Sequence, residues 1–186
     1  NCFFKKKINF ISLNNNKFSK FKKIILCSNN ENFEYFNYHL LSKLKIRVLR
    51  IAKKKKVFFE NEFTKIYISR SDARNKRSLK NDKKIEKILI KKGFKIVVLS
   101  KFSFLEKALI FNQAKVILGL HGAGLANILF SKKNTKIVEI RSPKWPNMFE
   151  KLSKCLKLKY KKINIKKIDK KNNLVSLSIS EIEKFI

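Results

Sequence analysis

Val116-Ile117-Leu118-Gly119-Leu120-His121-Gly122-Ala123-Gly124-Leu125-Ala126-Asn127 is the stretch that decides the fold. Its first half is a short apolar run of the kind that forms a fully buried strand. Ile128-Leu129-Phe130 continues behind it at helical spacing. The order is therefore strand, tight glycine turn, helix. Such a turn aims main-chain N–H groups and the positive end of a helix dipole at one point, which suits an anion, most simply a phosphate or diphosphate. Only 4 Gly occur in 186 residues, and three of them (Gly119, Gly122, Gly124) lie here. Glycine lets a ligand approach the main chain without a Cβ in the way, and it also serves any sharp turn between packed elements. His121 stands at the carboxyl end of the strand, where open α/β sheets bind ligands. A buried histidine satisfied by a backbone carbonyl is the alternative.

Working outward, the pattern is regular. Lys65–Ser69, Phe94–Leu99, Lys115–Gly119, Thr135–Ile140 and Lys159–Ile165 read as strands. Between them lie helices of about ten residues: one capped by Asn81 or Asp82 and ended by Gly93, one opened by a Ser103/Glu106 capping box, one from the glycine turn to Ser131, and one over roughly 147–157. Ser180-Glu181-Ile182-Glu183 caps a last helix, and Glu31–Ile51 carries a longer apolar periodicity. Ile24–Cys27 and Val57–Phe59 read as short strands. Alternating strands and helices predict an α/β, Rossmann-like three-layer domain with a mostly parallel sheet. Residues 61–186 are assigned to that domain. Residues 1–60 are assigned to an incomplete amino-terminal region and a linking helix, because the chain starts at Asn1 and its one Met is Met148.

The net charge of +33 would suit a nucleic-acid binder. Its make-up argues otherwise. Of 46 basic residues only six are arginines (Arg47, Arg50, Arg70, Arg74, Arg77, Arg141), which leaves 40 lysines spread over nearly every segment. Groove readout and phosphate forks prefer Arg. Specific nucleic-acid binding is therefore not expected. Nonspecific attraction to polyanions and to acidic membrane surfaces is, with peripheral membrane association as its cellular form. The longest stretch without a charged residue, Val116–Ser131, is short and polar for a membrane span. Three scattered cysteines (Cys2, Cys27, Cys155) show no metal or redox spacing and fit a reducing, cytoplasmic setting.

Strand ends supply the chemistry. After Ile68 come Ser69-Arg70-Ser71-Asp72-Ala73-Arg74, and Arg70 and Arg74 offer the planar fork that phosphates and carboxylates prefer. A salt bridge to Asp72 or Asp82 is their other use. Glu139 lies in an apolar strand, so its carboxylate must face a ligand or pair with a cation. A ribose diol is one partner; Arg141 or a Lys is the other.

The block Ile66–Arg74, the block Val116–Phe130 and Val138-Glu139-Ile140, in this order and spacing, resemble glycosyltransferase family 61 over about residues 60–165. The resemblance implies the carboxyl-terminal, donor-binding half of a GT-B fold. It also implies an inverting transfer of a sugar from a nucleotide sugar to a hydroxyl of a glycan or other acceptor, in surface-polysaccharide synthesis such as capsule formation. On that basis Arg70, Ser71, Arg74, His121, Gly122, Ala123, Gly124, Leu125 and Asn127 bind the donor nucleotide and diphosphate, and Glu139 the ribose. His121 and Arg70 are the catalytic candidates, both acting on the charge of the leaving diphosphate. The chain departs from the pattern of metal-dependent transferases in having no Asp-X-Asp pair, so no cofactor and no divalent metal are expected. Neutralisation then falls to arginine and the helix dipole. With most of the amino-terminal domain missing, no residue of this chain is assigned as the general base for the acceptor hydroxyl. A nucleotide-sugar binding module without catalysis is the alternative function.

Overall fold

Five parallel strands carry the architecture. The computed structural model describes residues 36–57, 62–72, 77–165, 167–169 and 174–185. The expected strands at Ile24–Cys27 and Val57–Phe59 and the first residues of the Glu31–Ile51 helix lie largely or wholly outside these. In chain order come α1 (Tyr38–Lys54), β1 (Lys65–Ser69), β2 (Ser78–Leu79), α2 (Asp82–Lys91), β3 (Lys95–Val98), a short 3-10 turn (Leu99–Lys101), α3 (Phe104–Gln113) and β4 (Val116–Leu120). There follow an eight-residue 3-10 helix (Ala123–Phe130), β5 (Lys136–Arg141), α4 (Met148–Cys155), β6 (Lys159–Asn164), β7 (Lys167–Asp169), β8 (Leu174–Ser176) and α5 (Ile179–Glu183). The main sheet has the order β3-β1-β4-β5-β6 with every pairing parallel. The domain is the expected α/β, Rossmann-like three-layer fold.

Alternation divides the strands between two layers. Tyr67, Leu118, Leu120, Val138, Ile140 and Ile163 join Ile85 and Leu89 of α2, Ile182 of α5, and Leu79 and Val175 of the small sheet in one buried cluster. The intervening residues Ile66, Ile68, Ile117 and Ile137 are buried against the opposite layer, built from α3, the 3-10 helix, α4 and α1. Each such aliphatic side chain contributes about 1.5–3 kcal/mol when fully buried. α3 starts where its capping box predicts: Ser103 Oγ accepts from the Glu106 amide at 3.4 Å, and Glu106 Oε2 accepts from the Ser103 amide at 2.7 Å. α2 ends at Gly93, whose φ of +79° is the left-handed conformation that favours glycine after a helix.

Three expectations change. The helix behind the glycine turn is 3-10, not α. The last helix is capped two residues earlier, by Ser178 with Glu181, than Ser180 had suggested. A second sheet, β2-β8-β7, was not expected. Its strands of two or three residues are too short to leave an alternation pattern. Among the described residues no helix is long and apolar enough to cross a membrane.

Gly124 shows how the 3-10 helix seats on the sheet. A Cβ there would meet Leu99 Cδ1 at 2.8 Å and Ile68 Cγ2 at 3.3 Å. Gly124→Val is therefore expected to lower stability by about 1–3 kcal/mol through overpacking. Urea denaturation measures this; an unchanged midpoint would mean that the helix is not held this close.

Candidate functional site

The sheet reverses its winding between β1 and β4. β1 feeds β3 on one side, and the chain then crosses back to β4 on the other. At such a reversal the loops at the carboxyl ends diverge and leave a crevice. Register pairs Ile68 with Gly119, so the residues two positions outward, Arg70 and His121, leave the sheet side by side.

The turn after β4 is fixed at both ends. The His121 amide donates to Ile140 O at 2.8 Å, and the Leu125 amide to Gly122 O at 3.0 Å. Asn127 Nδ2 donates to Gly124 O at 3.0 Å, so this side chain ties the turn together. Between these anchors the amides of Gly122, Ala123 and Gly124 find no acceptor among the described residues. Of these, the amides of Ala123 and Gly124 open the 3-10 helix, and free N–H groups at a helix start suit anionic oxygens. The Leu125 side chain is 1% exposed and its amide is engaged, so Leu125 is a core residue and not the donor contact expected.

The glycines have separate reasons. Gly122 is extended (φ 164°), a conformation any residue adopts. What it spares is room for Arg70: a Cβ on Gly122 would lie 3.2 Å from Arg70 Cζ, and closer still to Nη1. The guanidinium thus lies across the main chain of the turn. Gly124 faces the core with its missing side chain and offers only its amide, contrary to the expectation that both glycines open the way for a ligand.

Arg70 Nε donates to Arg77 O at 2.7 Å, which holds the fork in place. The expected alternative of a salt bridge is not formed among the described residues. Asp82 accepts from the Tyr67 hydroxyl at 2.6 Å, and Asp72 from the Ser100 amide at 3.1 Å. Burial, and then the like charge of Arg77, lowers the Arg70 pKa from its usual value. The charge of Asp72 acts on Arg70 in the opposite sense, but among the described residues it forms no salt bridge with it, and two neighbouring cations favour an anion beside them. Arg77 also stacks on the Trp145 ring, 4.3 Å from its centroid. Ser71 is exposed, with its amide directed to Ser69 Oγ at 3.3 Å. Arg74 lies outside the described residues.

Behind the turn is a buried polar triad. His121 Nδ1 bonds to one carboxylate oxygen of Glu139, and the Tyr160 hydroxyl donates to the other. Glu139 is 0% exposed. Both its oxygens accept hydrogen bonds inside the protein, the arrangement of the buried-pair alternative, with His121 and Tyr160 as partners in place of Arg141 or Lys. Burial, and then the hydrogen bond and charge of Glu139, push the Tyr160 phenol far above its ordinary range, so it remains a donor. The imidazole packs between Trp145 and Phe149, with centroids at 5.4 and 5.2 Å. Arg141 bonds the Trp145 carbonyl and sits 3.7 Å from Glu150, which steadies the loop that carries the indole.

Tyr160, Trp145, Phe149 and Arg77 were not singled out from the sequence. A signal existed only for Tyr160: register sets it beside Ile137, diagonal to Glu139 on the same sheet face. Among the described residues no group of three His, Cys, Asp or Glu could hold a metal ion. A separate open cavity of about 810 Å³, lined by Lys80, Asn81, Ser176–Ser178, Ser180, Glu181 and Lys184, brings none of these site residues together.

No curated protein matches the chain. The profile of the family described as Glycosyltransferase 61 matches residues 8–138, which takes in β1, β4 and the glycine turn and begins well before the three blocks that first suggested it. The match spans more than half of the sequence, and on it the chain belongs to glycosyltransferase family 61.

Proposed function

We propose that this chain carries the donor site of a glycosyltransferase that moves a sugar from a nucleoside diphosphate to a hydroxyl of a glycan or other acceptor with inversion, in surface-polysaccharide synthesis. The observation that carries the reading is the placing of the Arg70 guanidinium against Gly122 at the β1/β4 reversal, where the open amides of Ala123 and Gly124 start the 3-10 helix. Sugar transfer breaks the bond between the anomeric carbon and a phosphate oxygen, and that oxygen keeps the electron pair. Charge therefore grows on the diphosphate as the acceptor oxygen attacks. Fixed N–H dipoles and a guanidinium already in place stabilise that charge without reorganising. His121, in contact with the same turn, adds a hydrogen-bond donor to it. In this reading the domain is the carboxyl-terminal half of a GT-B enzyme, in which the amino-terminal half supplies most acceptor contacts. The scattered cysteines favour a reducing compartment, the cytoplasm, and the lysine-rich surface favours contact with an acidic membrane face.

The test is thermal denaturation with a panel of nucleoside diphosphates and nucleotide sugars. A ligand at 100 times its dissociation constant should stabilise the protein by about 2.7 kcal/mol. The Asp-X-Asp pair is missing and arginine is at hand, so the shift should be the same in EDTA. No shift with any of these ligands would defeat the reading. Loss of the shift in chelator, restored by magnesium or manganese, would show that a divalent ion shares the phosphates.

A further inference from the structure

The triad behind the turn decides which nitrogen His121 presents, and in which charge state. Tyr160 stays protonated and donates to Glu139, so the carboxylate is an acceptor at both oxygens. The hydrogen between Glu139 and the imidazole then sits on Nδ1. The other ring nitrogen, Nε2, has no hydrogen-bond partner among the described residues, nor is it among the side-chain atoms sealed from solvent without one. A neutral ring in this tautomer shows a bare lone pair at Nε2, which repels a phosphate oxygen.

Resting on the diphosphate reading above, we propose that Tyr160 and Glu139 are positioning residues that keep the hydrogen on Nδ1 of His121, so that Nε2 meets an anionic ligand only as imidazolium and binding of a nucleoside diphosphate takes up one proton. Charged groups surround the ring: Glu139 from β5, bonded to Nδ1, Arg70 against Gly122, Arg77 over Trp145 and Arg141 at the Trp145 carbonyl. Glu150 of α4 holds Arg141 and Lys162, and Phe149 of α4 is apolar. The 3-10 helix Ala123–Phe130 has no titratable side chain. Phosphate charge entering beside Nε2 favours the protonated ring.

Long-range 1H–15N correlation of the imidazoles tests it directly, because the chain has 2 His and the exposed His39 is an internal control. In the free protein at high pH, His121 should carry its hydrogen on Nδ1. Saturating UDP at the same pH should protonate both His121 nitrogens and leave His39 unchanged. The range to use lies above about pH 7, where a terminal phosphate with a pKa of about 6 has already lost its proton. There UDP affinity should fall up to about tenfold per pH unit, the slope of one linked proton. Glu139→Gln removes the charge that holds the imidazolium and should move the His121 midpoint to lower pH. Tyr160→Phe removes the donor that competes for that charge and should move it to higher pH; a merely structural role would not shift the two in opposite directions. Hydrogen on Nε2 of the free ring, or UDP binding without proton uptake, would overturn the proposal. If Glu139→Gln does not fold, Tyr160→Phe and the unaltered protein still decide it. If UDP does not bind, the donor reading fails, and the tautomer of the free protein alone decides the positioning role.

Discussion

Gly122→Ala is expected to weaken UDP binding as much as Arg70→Ala does, and the two together should cost no more than either alone. The backbone at Gly122 is extended, so alanine fits the turn without conformational strain. Its methyl takes the space of the Arg70 guanidinium, which must swing away. The loss is that of a charged hydrogen bond, about 1.5–3 kcal/mol, or roughly tenfold to a hundredfold in affinity. A double-mutant cycle separates this from two independent injuries, since residues acting through one contact are non-additive. Calorimetric titration of the four proteins measures it. Normal binding by Gly122→Ala would mean that Arg70 does not act from across the turn.

Glu139→Ala is expected to cost about 3 kcal/mol of stability. The carboxylate is fully buried and accepts from both His121 and Tyr160. Its removal leaves two donors unpaired and a cavity between β5 and the layer above. Glu139→Gln keeps the volume and one acceptor oxygen, and should cost clearly less. Urea denaturation of the pair is the measurement; an equal and small cost for both would show that the triad is not a structural unit.

Much of this was legible in the sequence, for physical reasons that differ by element. β1, β4 and β5 announce themselves as apolar runs because parallel strands are buried on both faces. The Ser103/Glu106 cap and Gly93 mark helix ends by local chemistry that needs no tertiary context. The 3-10 form of Ala123–Phe130 was not legible: Leu125 and Ile128 stand three apart, a spacing that both helix types use. That Arg70 and His121 stand together at neighbouring strand ends was legible because strand ends are readable. The fate of Glu139 was not. Its partners lie 18 and 21 residues away, and only the folding back of His121 and the β5/β6 register bring them to it. The reason for Gly122 was hidden likewise, since it depends on a side chain from a different strand end.

In the proposed reading, the amides opening the 3-10 helix hold the donor diphosphate. The most direct measurement is amide NMR of the protein titrated with UDP at a salt concentration that suppresses nonspecific attraction to the +33 chain. Saturable shifts are expected to be largest at the amides of Gly122, Ala123 and Gly124 and to be abolished by Arg70→Ala. Shifts confined to other surfaces, such as the cavity around Lys80 and Ser180, or no saturable shift in the folded protein, would contradict that reading.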